Sequence, residues 1–372
     1  MSTEIIMALI MNLLPLLFSV ALVHSDQSIL PLKSFKTSGN VTYDCIDIHK
    51  QPGLDHPLLK NHTIQMKPSA SRLELKNQTS NNYVYKKKIG CPYGTVPVLR
   101  NSKEYIINTQ YFHPLSRDRP GTHIAGVRSS NGPFRGIEAW SNGYALNIGK
   151  DQASYSQIYI GSGSNKEVNF IQAGFMINPS VFGDRRVWSY GFWQGKDGKG
   201  CYNTACPGFV QVSHEATLVQ VFDPKPGVPV WLRCSIHQDK QTGNWWVTLL
   251  SKDSKPSLDI GYWPKELFNL LNNGANMVGV GGVVQASRSG SSPPLGTGKF
   301  PTVDLRESAI FTNIEALNSN YQRRKLDSFH IEKLLDSPNC YGLRLGQAQL
   351  FHRNQLGYFL NYGGPGGKSC GV

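Results

Sequence analysis

The side chains best placed for chemistry in this sequence lie in short β-prone runs, and the first of them is an amide. In VNFIQAGFMI, alternation sets Val168, Phe170, Gln172, Gly174 and Met176 on one strand face, and Asn169, Ile171, Ala173, Phe175 and Ile177 on the other. Gln172 is thus a polar residue among partly apolar neighbours, a placement suited to a groove floor where an amide can donate to or accept from a ligand. A second stretch, ANMVGVGGVVQ, allows close backbone approach at Gly281 and Gly282 just before Val283. Trp245 and Trp246 are adjacent and so face opposite ways on a strand; one is expected in the core and the other along a groove. Glu138 in RGIEAWSNG and Asp259 in SLDIGYW sit in β-like runs, but spacing alone pairs neither with a second acid. No GxSxG, HExxH, P-loop or dinucleotide fingerprint occurs, and no CxxC or histidine-rich metal spacing. The sequence therefore calls for neither a metal nor another cofactor.

These residues must be positioned by something, and the first question is where the chain folds. The run from Ile5 to Val23 is apolar, with Val23 and Ser25 at the small-residue positions of a cleavage site, so residues 1–25 read as a secretory signal peptide. No second hydrophobic span of membrane length follows, and an exported protein without membrane contact after signal removal is expected, extracellular in a cell wall or delivered to a vacuole. Seven cysteines in an oxidising compartment allow three bridges. Local spacing pairs Cys201 with Cys206 and Cys340 with Cys370, which leaves Cys45 with Cys91. Cys234 shares a strand face with Leu232 and Ile236 in WLRCSIHQ and reads as a buried thiol outside any bridge rather than a nucleophile. Sequons at Asn61 and Asn77 imply exposed, glycosylated loops. With Glu4 of the signal stretch set aside, the basic excess is +7 in 26–120 and +7 in 121–372, and its short basic runs lack interleaved aromatics, which speaks against a nucleic-acid site.

Residues 26–120 read as a unit of their own, rich in Pro, His and Lys, ending in QYFHPLSRDRPG with Arg117 and Arg119 as a processing stretch between about 113 and 122. From there to the C-terminus, residues 121–372 read as continuous β. IEAWSNGYALNI, YSQIYIG, VNFIQAGFMIN, RVWSYGFW, PGFVQVS, ATLVQVF, VWLRCSIHQ, NWWVTLLS, SLDIGYW, ANMVGVGGVV and SAIFTNIEAL are candidate strands separated by turn-forming loops. PKELFNLLNNG, from Pro264 to Gly274, has the proline, early acid and terminal glycine of a short helix. So many strands without crossover helices point to an all-β, antiparallel two-sheet sandwich.

The ordered motifs IQAGFMINPSVFGD, GCYNTACPGFVQVS, TGNWWV, IGYWPKELF, VGVGGVV, LGTGKF and NYGGPG, after YDCIDIHKQPGLDHPLLKNHTIQMKPS and CPYGTVPVLR, resemble the neprosin family of plant secreted proteins along essentially the whole chain. The resemblance implies a lectin-like jelly-roll sandwich of the glutamic-peptidase kind behind an activation peptide. It also implies a post-proline endopeptidase made as a zymogen, acting through two glutamates, one in an Ile-Glu-Ala-Gly-Trp motif and one in a Trp-Gly-Gly-Glu motif. Carried onto this chain, those glutamates fall on Gln172 and Val283, and Phe175 and Val280 stand where the family has tryptophans. Related fungal enzymes resemble a Gln–Glu pair, so Gln172 alone leaves chemistry possible, but valine can neither take nor give a proton. The expectation is a secreted protein that has lost the peptidase dyad and acts as a non-catalytic binding or structural protein, with Phe175, Val280, Trp245 and Trp246 as groove residues and proline-rich polypeptides or cell-wall polymers as partners. Two alternatives are an active post-proline peptidase with a substitute acid, drawn from Glu138, Glu167 or Glu215, and a cell-wall glycan-binding module.

Overall fold

Period-two alternation of apolar and polar residues sets the architecture. The computed structural model describes residues 30–69, 89–102, 105–107, 109, 120–164, 167–250, 257–347, 350–351 and 354–370, apart from positions 38 and 101. The signal stretch 1–25, Asn77 and the arginines at 117 and 119 lie outside the described residues, whereas Asn61 is exposed in a turn.

The N-terminal region contributes β1 (Lys33–Lys36), β2 (Thr42–Asp47) and β3 (Thr95–Leu99). Next come β4 (Thr122–Ser129), β5 (Gly136–Gly143), β6 (Ala153–Ser164), β7 (Glu167–Ile177), β8 (Val187–Gln194) and β9 (Gly200–Tyr202). β10 (Val210–Gln211) and β11 (Val221–Phe222) are brief; β12 (Val230–Gln238), β13 (Trp245–Leu249), β14 (Leu258–Trp263) and β15 (Met277–Gln285) follow. The C-terminal part adds β16 (Ala309–Leu317), β17 (Arg323–Lys325), β18 (Glu332–Leu335), β19 (Gly342–Gln347), β20 (Leu350–Phe351), β21 (Asn354–Gln355) and β22 (Tyr358–Gly363).

An eight-stranded antiparallel sheet runs β11-β8-β7-β6-β15-β4-β18 with β9 on β8, and a nine-stranded one runs β10-β14-β13-β12-β5-β16-β22-β19 with β17 on β16. Val127, Ile158, Ala173 and Val280 from the first sheet and Ile137, Ala139, Ile236 and Val247 from the second are all buried in one apolar core. Two contacts fix which faces meet. Tyr362 Oη on β22 donates to Ser156 Oγ on β6 at 2.8 Å. A Cβ on Gly143 of β5 would stand 2.9 Å from the Phe175 ring of β7. The expected sandwich is therefore present, and each expected strand appears, although PGFVQVS and ATLVQVF supply only two paired residues each.

Two local expectations need correction. The stretch after Pro264 is not a helix: only Lys265–Leu267 forms a 3-10 turn. The buried carboxamide of Asn169, from the other sheet, accepts from the amides of Asn269 and Leu270 at 2.9 and 2.8 Å, taking donors that a helix would have used internally. Trp245 and Trp246 do face opposite ways, but both are fully buried, so neither lines an open groove. Residues Pro31–Val372 form one compact unit.

The N-terminal region docks by hydrogen bonds and close backbone approach. Gln51 Nε2 donates to Gln211 O at 3.0 Å while Gln211 N donates to Gln51 Oε1 at 2.7 Å, and Tyr43 Oη donates to Val219 O at 3.1 Å. Gly53 sits so near β10 that a Cβ there would meet Phe209 O at 1.9 Å. Bridges join Cys45 to Cys91, Cys201 to Cys206 and Cys340 to Cys370. The first lies wholly inside the N-terminal region and therefore shapes it without tying it to the sandwich. Cys234 is outside any bridge and buried.

Candidate functional site

Register through β8, β7, β6, β15 and β4 is unbroken, so side-chain direction on all five strands can be read row by row. Gln172 stands opposite Phe192 and Tyr159; Tyr159 stands opposite Gly279, and Gly279 opposite Arg128. Val283 stands opposite Tyr155 and Ile124, and Tyr155 opposite Met176. The two rows lie an even number of residues apart on β15, so Gln172 and Val283 project from the same face, the one turned away from the second sheet. They are separated by β6 and by four residues of β15, roughly 10 Å across and about 13 Å along an untwisted sheet.

Phe175 and Val280 belong to the other set. Phe175 pairs with Ser156, whose hydroxyl meets β22, and Val280 pairs with Ile158, two residues further along β6. Both are core residues between the sheets, not groove walls, and parity on the strand dictates it. Phe175 does border a small cavity of about 30 Å³ shared with Asn142, Ser154 and Tyr362, room for about one water. Gly282 has the same orientation: a Cβ there would meet the Tyr362 ring at 2.4 Å.

Between Gln172 and Val283 the outer face carries a row the sequence reading passed over, Gly281, Gln157, Gly174 and Tyr190. Tyr190 Oη donates to Gln157 Oε1 at 2.6 Å. Asn178 Nδ2 donates to Tyr155 Oη at 2.9 Å, and the Tyr155 and Tyr202 hydroxyls are 3.5 Å apart. Tyr105 of the N-terminal region closes one side: it accepts from Asn203 Nδ2 at 2.9 Å, and its ring lies 5.6 Å from Phe182, itself stacked on Trp188. Burial holds the Tyr190 and Tyr105 phenols well above their ordinary value, so both remain protonated donors. The floor is one of amides and phenols on small residues. The signal for it was present in YSQIYIG, where Tyr155, Gln157 and Tyr159 alternate as strictly as VNFIQAGFMI does.

Three described carboxylates stand at the margins of this face and are engaged. Glu332 lies opposite Arg128 on the far edge and forms a 2.6 Å ion pair with it. Asp336 accepts from Ile124 N at 2.9 Å and lies 3.0 Å from His123 Nδ1. Asp184 pairs with Arg186 at 2.6 Å and accepts from Trp188 Nε1 at 3.0 Å. Of the three glutamates considered as substitutes, Glu138 projects from the outer face of the opposite sheet, because it is five residues from inward-facing Gly143. Glu167 accepts from Asn269 Nδ2 at 2.6 Å, and Glu215 lies in the loop after β10, its carbonyl accepting from Ile89 N at 3.0 Å. Asp259 belongs with Glu138: a row across the nine-stranded sheet joins Asp259, Thr248, Ser235, Glu138 and Glu315. No group of three or more metal-ligating side chains occurs among the described residues, and no described helix is long and apolar enough to cross a membrane.

An antiparallel two-sheet sandwich with a cysteine-bridged N-terminal segment docked on its edge and a polar face of amides and phenols defines the class. The Neprosin family matches residues 150–365, and the Neprosin activation peptide matches residues 34–134. The chain belongs to the neprosin family. The activation-peptide match runs past residue 120 and takes in β4, a full member of the eight-stranded sheet. Among solved structures, the chain is similar to scytalido-glutamic peptidase with a peptide-based transition-state analogue, at 10% identity and a TM-score of 0.33, covering 66% of this chain and 98% of that one. It is also similar to SCP-B, a member of the Eqolisin family of peptidases, in complex with the tripeptide Ala-Ile-His, at 11% identity and a TM-score of 0.34, with the same coverage. Likeness at this level transfers no residue role.

Proposed function

We propose that the protein is a secreted, non-catalytic member of its family whose eight-stranded outer face binds extended polypeptide, with proline-rich chains the leading candidates and cell-wall polymers next, and does not hydrolyse it. The observation that carries this reading is the pair of residues at the family's glutamate positions, Gln172 and Val283. Amide hydrolysis by a carboxylate pair needs one group to remove a proton from water and another to protonate the leaving amine. Gln172 can hydrogen-bond a carbonyl but cannot exchange a proton in the working range, and Val283 offers neither. Loss of general acid–base assistance typically costs about 10²–10⁴ in rate. The Gln157, Tyr155 and Tyr190 side chains supply the kinds of donors and acceptors that suit a peptide backbone. Three disulfides suit an extracellular setting.

The test is to purify the secreted protein, acidify it, and follow cleavage of proline-containing peptides beside a Gln172→Glu, Val283→Glu double variant. The expected result is no turnover by the unmodified protein together with measurable binding of the same peptides. Robust turnover, abolished by replacing one of the remaining carboxylates, would overturn the proposal.

A further inference from the structure

Residues 62–69, HTIQMKPS, run without helix or strand beside the β12–β13 hairpin and β14, and they are held as a bound peptide is held. Gln65 N donates to Tyr262 Oη at 2.8 Å, and His62 Nε2 lies 2.8 Å from the same hydroxyl. The Gln65 side-chain oxygen takes Asn244 Nδ2 at 2.9 Å and Thr242 Oγ1 at 2.8 Å. Four residues on, the Ser69 amide and hydroxyl both donate to the Asp239 carboxylate, the hydroxyl at 2.7 Å. None of these bonds belongs to the sheet. β13 pairs with β12 on one side and β14 on the other without the strap, and Asp239 fixes its own turn by accepting from the amides of Gln241 and Thr242.

What lies under the strap is consistent with a site rather than a packed loop. Trp246 and Tyr262 are on the outer face of the nine-stranded sheet, fully buried, with ring centroids 4.8 Å apart. The Trp246 indole N–H has no acceptor, so an aromatic platform with an unused donor sits beside a cluster of polar side chains converging on one extended backbone.

We propose that Asp239, Thr242, Asn244, Trp246 and Tyr262 form a second peptide-binding site, on the side of the sandwich away from Gln172, specific for an extended segment with glutamine followed four residues later by serine. Residues 62–69 are its resident occupant. The glutamine is selected because Asn244 Nδ2 and Thr242 Oγ1 meet at its one carbonyl oxygen, and a residue lacking that oxygen leaves the Asn244 amide unpaired while the Thr242 hydroxyl turns to Asp239 Oδ1, 3.0 Å away. The serine is selected because Asp239 takes its hydroxyl as well as its amide. Tethered through the chain, the strap acts at millimolar effective concentration, so a free peptide gains entry when the strap is weakened. This site goes beyond the proposed function of the eight-stranded face and does not depend on it.

The test uses the full chain and a fluorescein-labelled peptide, NHTIQMKPS, followed by anisotropy. A Gln65→Ala, Ser69→Ala variant should bind the probe at least tenfold more tightly than the unmodified protein. Replacing the probe's glutamine by alanine, or adding Asn244→Ala to the protein, should return binding to the unmodified level. Equal binding by loosened and unmodified protein, or indifference to the probe's glutamine, overturns the proposal. If the loosened variant does not fold, amide hydrogen exchange on the unmodified chain decides: excess probe should accelerate exchange at Gln65 and Ser69, and unchanged exchange at saturating probe counts against the site.

Discussion

Glu138 and Arg233 form a 3.0 Å ion pair on the outer face of the nine-stranded sheet, on the opposite side of the sandwich from Gln172. A second guanidinium, Arg323 of β17, lies 3.5 Å from the same carboxylate, which is only 2% exposed. The acid in RGIEAWSNG thus ties β5 to β12 and β17 and has no path to the amide floor. Removing one member of a buried pair leaves the remaining charges uncompensated. Glu138→Gln is expected to lower stability by about 3 kcal/mol in urea unfolding, while peptide binding to the eight-stranded face is unchanged. A stability loss within experimental error would show that the arginines do not depend on it.

Tyr190 and Gln157 form the central bond of that floor. Tyr190→Phe keeps the ring and its packing against Tyr155 but leaves a buried amide oxygen without its 2.6 Å donor. The expected cost is about 1–2 kcal/mol, and peptide affinity should fall with it, since the Gln157 amide would lose its fixed orientation. Unaltered affinity in a destabilised variant would place ligand binding elsewhere.

The legible part of this molecule is the part governed by neighbours in sequence. Alternation places Gln172 and Phe175 on opposite faces of β7, and parity alone removes Phe175 and Val280 from the groove, since a residue cannot share a face with one three positions away on a regular strand. Their assignment as groove residues came from the family resemblance and not from the strand. Trp245 and Trp246 were correctly set on opposite faces, but what covers the outer one comes from sequence well upstream. The same distance effect defeated the expected helix after Pro264, where local signals were sound and Asn169, a hundred residues earlier, supplied the acceptor that decided the backbone. The row from Asp259 to Glu315 draws on five strands, and nothing in the spacing of those residues announces it.

Two groups at the attachment of the strap, His62 on it and Asp239 beneath it, titrate so as to work in one direction. Burial pushes the His62 imidazole below its usual value, with Glu266, 3.7 Å away, pulling the other way. Burial alone would raise Asp239, but hydrogen bonds from Thr242 and Ser69 outweigh it and hold the carboxyl below its ordinary range. A lowered imidazole value means that the released strap binds the proton more tightly, so His62 favours attachment fully above about pH 6.5 and less as the pH falls below it. A lowered carboxyl value means that the Asp239 contribution is present above about pH 3.9 and is lost as the pH falls through the lowered value. Acidification should therefore loosen residues 62–69 in two steps. Amide exchange at Gln65 and Ser69, corrected for intrinsic rates, should rise between neutral pH and about pH 5, and again toward about pH 3. His62→Gln should remove the first step and keep the second.

Val283 offers a direct probe of how dry the eight-stranded face is. It is 3% exposed and set between Tyr155 and Ile124, and two described arginines at this face, Arg128 and Arg186, are already paired with Glu332 and Asp184. A carboxyl introduced by Val283→Glu would be desolvated there without a cation to offset it, so its folded-state pKa should stand above the unfolded value of about 4.3. The sign follows: the variant is least handicapped below that value, and its stability falls as the pH rises toward the raised folded value, by about 1.4 kcal/mol for each unit of elevation. Relative to the unmodified protein, its melting temperature should therefore drop further at about pH 8 than at about pH 4. An equal drop at both pH values would mean that the carboxyl reaches water freely, and the face between Gln172 and Val283 would then be an open surface and not the floor of a groove.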